Sequence, residues 1–129
     1  MNKTYLLTAS LLGAFAVALG AFGAHGLKRI VDTETVATFQ TGVQYHVYHT
    51  FALLAAAILF EKFPNKWIKW AGTCFIIGII LFSGSLYLLA ALKAADQGGW
   101  KVVGIITPVG GVFFIAGWLF LFAGLMKGN

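Results

Sequence analysis

Hydrophobic and polar positions along this chain separate into long blocks rather than alternating. Thirteen charged residues (Lys3, Lys28, Arg29, Asp32, Glu34, Glu61, Lys62, Lys66, Lys69, Lys93, Asp96, Lys101 and Lys127) fall in clusters, and four charge-free stretches lie between them, 4–27, 35–60, 70–92 and 102–126. A helix rising about 1.5 Å per residue needs roughly 20 apolar residues to cross a hydrocarbon core of about 30 Å, and each stretch exceeds that. Barrel strands are about half as long and alternate in polarity, which these stretches do not. The pattern predicts an all-α integral membrane protein, a four-helix transmembrane bundle with short loops in a single domain, with spans at about 4–27, 35–60, 67–92 and 102–126. Both termini then lie on the same side.

The connections carry the expected punctuation. Residues 28–34 are short and polar, and Asp32 or Thr33 is placed to cap the second helix. The second turn, 61–66, contains the helix-stopping Pro64, and Trp67 and Trp70 follow it as interfacial anchors beside Lys69. The third runs from Lys93 to Lys101 through Gly98 and Gly99 and ends at Trp100, again at an interfacial position. The start of the chain resembles a signal peptide, with Lys3, an apolar run and small residues at 21–24. The run is longer than a signal core, so it is read as a retained span.

Composition agrees with lipid as the solvent: 60% of residues are hydrophobic, 10% are charged, and the mean hydropathy is +0.87. The net charge of +5 could suit nucleic acid, but four spans leave no soluble domain to hold such a site, so no nucleic-acid partner is expected. Anionic lipid headgroups fit instead. The single cysteine, Cys74, lies within a span and reads as a packing residue. Five basic residues on the terminal side against four on the other place the termini in the cytoplasm.

Small residues mark helix-packing seams. The first helix carries Gly13 and Gly20 among alanines spaced three or four apart, and the last carries Gly110, Gly117 and Gly124, one residue in seven, which suits a left-handed crossing. These stripes allow packing within the chain or between chains, as a homo-oligomer or within a larger membrane complex.

Polar residues inside the spans gather toward the side away from the termini. His25 ends helix one; Gln44, Tyr45, His46, Tyr48 and His49 lie in helix two; Ser83, Ser85 and Tyr87 lie in helix three; Thr107 precedes Pro108 in helix four. At about 100° per residue, Thr41, Gly42, Gln44, Tyr45, His46, Tyr48 and His49 share one broad face of helix two, expected to look inward. Val43, Val47, Phe51, Leu54 and Ile58 form the other, expected to face lipid. Three readings stay open for the cluster: hydrogen-bonded glue between helices, a ligand or ion pocket, or a metal or haem site. His46 and His49 are three apart and could share a metal with His25, but no carboxylate or thiolate is near to complete the set, and no cofactor is expected. Helix four either starts inside the membrane at Thr107-Pro108, aiming its N-terminus at the cluster, or runs from about Val102 with a kink that frees the Gly104 carbonyl.

Four sequence blocks, residues 20–27 (GAFGAHGL), 40–49 (QTGVQYHVYH), 81–87 (LFSGSLY) and 106–111 (ITPVGG), occur in order across nearly the whole chain. Together they resemble domain-of-unknown-function family 423, small bacterial inner-membrane proteins related to the eukaryotic transmembrane protein 256. The resemblance implies a multi-pass protein of the bacterial cell membrane and brings no reaction, cofactor or catalytic residue with it. Two function classes follow. One is a structural or accessory protein that binds lipid or a membrane complex; the other is a small-solute, ion or proton pathway. With no Asp, Glu, Lys or Arg inside the spans, coupling in such a pathway would have to run through histidine. An enzyme is not expected, because no nucleophile with an adjacent base and an orienting acid can be assembled.

Overall fold

A computed structural model describes residues 1–128, except the side chain of Trp100, so the interfacial role expected of that side chain falls outside the described residues, as does Asn129. Four long helices run in alternating directions: α1 (Lys3–Ala24), α2 (Thr33–Leu59), α3 (Lys66–Ala94) and α4 (Trp100–Lys127). Side-chain caps fix three of their starts. Asn2, Asp32 and Asn65 accept from the backbone N–H of Tyr5 at 3.1 Å, Thr35 at 2.8 Å, and Trp67 at 3.1 Å. Asp32 is therefore the cap of the second helix. The fourth starts after Gly99, whose φ of 88° suits a residue without a side chain.

The termini share one end of the bundle. The Asn2 N–H donates to the Ala57 carbonyl near the end of α2 at 3.0 Å, and the Asn65 amide donates to the Gly124 and Gly128 carbonyls at 3.0 and 2.8 Å.

Three helices have both the length and the apolar composition to cross a membrane: α1 with the short 3₁₀ turn that follows it (Lys3–Arg29), α3, and Lys101–Lys127 of α4. With 27 residues α2 is as long, but its glutamines, histidines, tyrosines and threonines lower its apolar content. It lies packed between α1 and α3.

Packing of α3 on α4 follows the seven-residue glycine seam. Gly110 sits on the Phe82 backbone, Gly117 on the Phe75 ring and Cys74, and Gly124 on Ile68, while Phe114 and Leu121 fill the turns between. Gly13 and Gly20 face α2 more loosely; a methyl group there would lie 3.7 Å from Thr50 and 3.4 Å from Val43. The apolar core gathers near the terminal end around Ala9, Leu53, Ala56, Ile68 and Phe75. Nearby, the Tyr5 hydroxyl donates to the Lys69 carbonyl at 2.9 Å, and its ring covers Gly72.

Two features of the helices differ from expectation or add to it. Helix α4 passes through Pro108 without interruption, so it does not begin inside the membrane at Thr107. Proline removes one ladder bond and crowds the carbonyl four residues back, and here that residue is Gly104, which has no side chain to add to the strain. Helix α3 contains a π-helical turn at Ile79–Ser83, which the sequence pattern did not suggest.

Candidate functional site

The rotation of α2 decides what its polar residues do. Its buried stripe is Val36, Phe39, Gly42, His46, His49, Thr50, Leu53 and Ala57, whereas Thr41, Gln44, Tyr45 and Tyr48 are exposed. The inward face is thus narrower than expected, and four of its seven assigned residues point out of the bundle. Val43 and Val47, expected to face lipid, are partly covered by α1. The rotation has a packing reason: Gly42 lets α3 come close, with a methyl group there meeting Leu86 Cβ at 3.1 Å.

His46, 3% exposed, lies between α2 and α3 with Nδ1 2.8 Å from the Tyr87 hydroxyl. One turn away the Ser83 hydroxyl donates to the Gly42 carbonyl at 2.6 Å. The π turn ends at Ser83. The far nitrogen of His46, Nε2, is buried without a hydrogen-bond partner. The Tyr87 hydroxyl and Nδ1 share the one hydrogen bond of this ring, and which of them donates sets the tautomer.

His49, 4% exposed, has both nitrogens engaged. The indole of Trp118 can only donate, so its N–H at 3.1 Å makes Nε2 the acceptor, and Nδ1–H then donates to the Tyr45 carbonyl at 2.7 Å. The ring stacks on Phe114 with centroids 3.5 Å apart and 8° between planes. A neutral histidine held in this way has no lone pair left for a metal. Among the described residues no group of three or more His, Cys, Asp or Glu is placed to hold one.

The remaining polar residues lie apart from these two histidines. Ser85 of α3 and Thr107 of α4 share a hydrogen bond of 2.6 Å. Thr107 also reaches the Val103 carbonyl one turn back on its own helix, at 3.2 Å. Gln44 donates to the Tyr48 hydroxyl at 2.5 Å on the outer surface of α2. His25 is exposed at the end of α1 and bonds only to the Ala21 carbonyl one turn back, at 3.1 Å. The ten polar residues singled out from the sequence therefore do not converge on one pocket. They form an α2–α3 contact, an α2–α4 contact, an α3–α4 contact, an exposed pair and a helix end.

A cavity does exist beside His49. Helices α2 and α4 share no extensive contact among the described residues, and a groove of about 590 Å³ opens between them. Tyr45, Tyr48 and His49 form its α2 wall, Phe82 its floor, and Pro108, Phe114 and Trp118 part of its α4 wall. Tyr45 lies over Phe82 with centroids 4.8 Å apart. No charged side chain lines the groove. Trp118, Phe82 and Phe114 are the residues that sequence reading missed. Trp118 carried a signal: it sits deep in an apolar span, where an indole N–H needs a partner, while the other tryptophans lie near charged turns.

Known proteins supply the context for this geometry. The family model described as "Protein of unknown function (DUF423)" matches residues 19–111. A "UPF0382 membrane protein" of Haemophilus influenzae is 42% identical, covering 98% of this chain and 97% of its own length. The "UPF0382 inner membrane protein YgdD" of Escherichia coli K12 is 37% identical, covering 98% and 92%, and the "UPF0382 membrane protein YwdK" of Bacillus subtilis 168 is 37% identical, covering 97% and 98%. No solved structure matches the chain. The composition of its helices and the names of these relatives agree on an integral membrane protein, and the chain belongs to the DUF423 family.

Proposed function

We propose that this protein is a non-catalytic accessory component of the cell membrane that holds the acyl or isoprenoid chain of a membrane lipid in the groove between α2 and α4. The observation that carries this reading is the groove itself, whose volume of about 590 Å³ falls within the size range of small-molecule sites. Its walls are aromatic and uncharged, and it lies between two helices rather than within one. The buried histidines support a holding role over a reactive one: His49 is fixed by Trp118 and Tyr45, and His46 by Tyr87. His49 has no acid or nucleophile bonded to it, and His46 has only the Tyr87 hydroxyl, with no carboxylate to orient the ring.

Native mass spectrometry of protein released from detergent tests the reading, comparing the unsubstituted chain with Gly111→Phe. A methyl group at Gly111 meets only Phe82, at 3.9 Å, so a larger side chain there fills the groove without parting the helices. A lipid mass retained by the unsubstituted chain and lost from Gly111→Phe is the expected result. Bare protein, or lipid retained equally by both, would overturn the reading.

One observation favours a proton pathway as a second reading, the unpartnered Nε2 of His46. From His46 the one hydrogen bond leads to Tyr87, and none of the hydrogen bonds described continues from there to either surface. Proton uptake by liposomes carrying the protein, lost in His46→Phe, would favour this reading over the first.

A further inference from the structure

The groove between α2 and α4 lies at mid-depth in the bundle. Phe114, in its α4 wall, is the central residue of the span Lys101–Lys127, and the rings of His49 and Tyr45 lie 3.5 and 6.2 Å from the Phe114 ring. A hydrocarbon core of about 30 Å leaves about 15 Å between that depth and either headgroup layer. The phosphate and ester carbonyls of a phospholipid therefore stay far from these rings, and only its acyl chains reach them.

Two hydroxyl donors are nonetheless placed there. The Tyr48 oxygen accepts from the Gln44 amide at 2.5 Å, which leaves its own O–H to give, and the Tyr45 hydroxyl makes no hydrogen bond among the described residues. Both phenol side chains belong to the α2 wall of the groove and are exposed. The neighbouring N–H groups are already spent, since that of Trp118 goes to His49 and that of His49 to the Tyr45 carbonyl. Two O–H donors are thus what the groove leaves unpaired, and hydrocarbon offers them no acceptor.

The walls add a requirement of shape. The rings of His49 and Phe114 are 8° apart, and that of Tyr45 lies within 20° of the first and 27° of the second. Three rings in nearly one orientation suit a flat conjugated ring that stacks with them, a gain no saturated chain can make. Depth, donors and shape together call for an uncharged planar ring with carbonyl oxygens on an apolar tail. An isoprenoid that ends in a phosphate or a hydroxyl is drawn by hydration to the interface, whereas a quinone ring carries neither charge nor donor and can enter at this depth. We propose, building on the lipid-holding reading above, that the occupant of the groove is an isoprenoid quinone, its ring stacked against the aromatic wall and its carbonyl oxygens accepting from the Tyr45 and Tyr48 hydroxyls.

Native mass spectrometry of the full chain with menaquinone-4, and with geranylgeraniol as an alcohol of the same isoprenoid length without the ring, tests this. Menaquinone-4 should be retained at concentrations where geranylgeraniol is not, and lost from Gly111→Phe. Affinity is read from saturable quenching of tryptophan fluorescence as menaquinone-4 is titrated into phosphatidylcholine liposomes carrying the protein. Tyr45→Phe combined with Tyr48→Phe keeps both rings, so the bundle stays intact, and removes both donors. It should weaken menaquinone-4 binding by roughly 5- to 30-fold and leave retention of geranylgeraniol unchanged. Equal retention of the two probes, or a double variant that binds menaquinone-4 as tightly as the unsubstituted chain, would overturn the quinone and leave the lipid-holding groove standing. Bare protein with both probes and with phospholipid, or menaquinone-4 retained equally by Gly111→Phe, would overturn both.

Discussion

A methyl group at Gly110 is the smallest perturbation that probes how α3 and α4 are joined. Built onto that glycine, it would lie 2.7 Å from the Phe82 Cα and 2.8 Å from its Cβ, whereas carbon atoms rest at about 3.5–4.0 Å. The obstacle is backbone, which no rotamer change can move aside. Relief requires α4 to retreat by about 1 Å, and a gap of that size forfeits a quarter to a half of each contact it opens. Gly117 on Phe75 and Gly124 on Ile68 lie along the same seam and lose contact together. Overpacking of this kind costs about 1–3 kcal/mol, and the better helix propensity of alanine returns about 1 kcal/mol, leaving Gly110→Ala destabilised by up to about 2 kcal/mol. Gly13→Ala is the matched control, because its methyl group would meet Thr50 at an ordinary 3.7 Å and keeps the propensity gain. Unfolding in mixed micelles, followed by tryptophan fluorescence, compares the two. A Gly110→Ala protein as stable as Gly13→Ala would refute the seam as the joint between these helices.

Three further outcomes follow from the same geometry. Trp118→Phe keeps most of the ring but removes the donor to His49, and should cost about 1–2 kcal/mol in the same unfolding assay, with no added loss when His49→Phe is combined with it. Tyr87→Phe leaves His46 Nδ1 unpaired in a buried contact, and is expected to lower stability by about 0.6–2 kcal/mol in the same unfolding assay. Asp32 lies outside the spans, and hydrogen bonds from the Thr35 hydroxyl and then its backbone N–H hold the carboxyl below its ordinary value of 3.8. Its stabilisation of the start of α2 is therefore complete above the ordinary value and lost as pH falls through the lower folded one; the protection of the Thr35 amide from hydrogen exchange, relative to its intrinsic rate at each pH, should fall over that range and stay level in Asp32→Asn.

The helices, their turns and the packing stripes were legible because charge is confined to the helix ends and glycine recurs every seven residues in 110–124. These are one-dimensional signals, and lipid makes them strong. The rotation of α2 was not legible, because in a membrane polarity does not mark the inside. Gln44 and Tyr48 satisfy part of their need on their own helix, while Gly42, with no side chain to score, draws the helix round to face α3. The division of the cluster followed from the same gap. His46 and His49 are three residues apart and share a buried stripe, yet one turns to Tyr87 and the other to Trp118, 69 residues away, because α3 and α4 approach that stripe from different sides. His25 was grouped with them by depth alone, and an end-of-helix position at the right depth still faces outward.

The π turn in α3 gives the length of that helix a meaning separate from its composition. A π turn holds one residue more than an α turn, so every side chain beyond Ser83 is set back by about 100° relative to a regular helix begun at Lys66. Removing any one of Ile79 to Phe82 would let that turn close as regular α-helix and leave Tyr87 facing His46 and Ser85 facing Thr107, whereas adding a residue to α3 before Tyr87 would swing both away. Hydropathy would register neither change. The single surplus residue works as a phase buffer, and the evolutionary tolerance of α3 to a one-residue deletion should be greatest in the middle of the span, far from any loop.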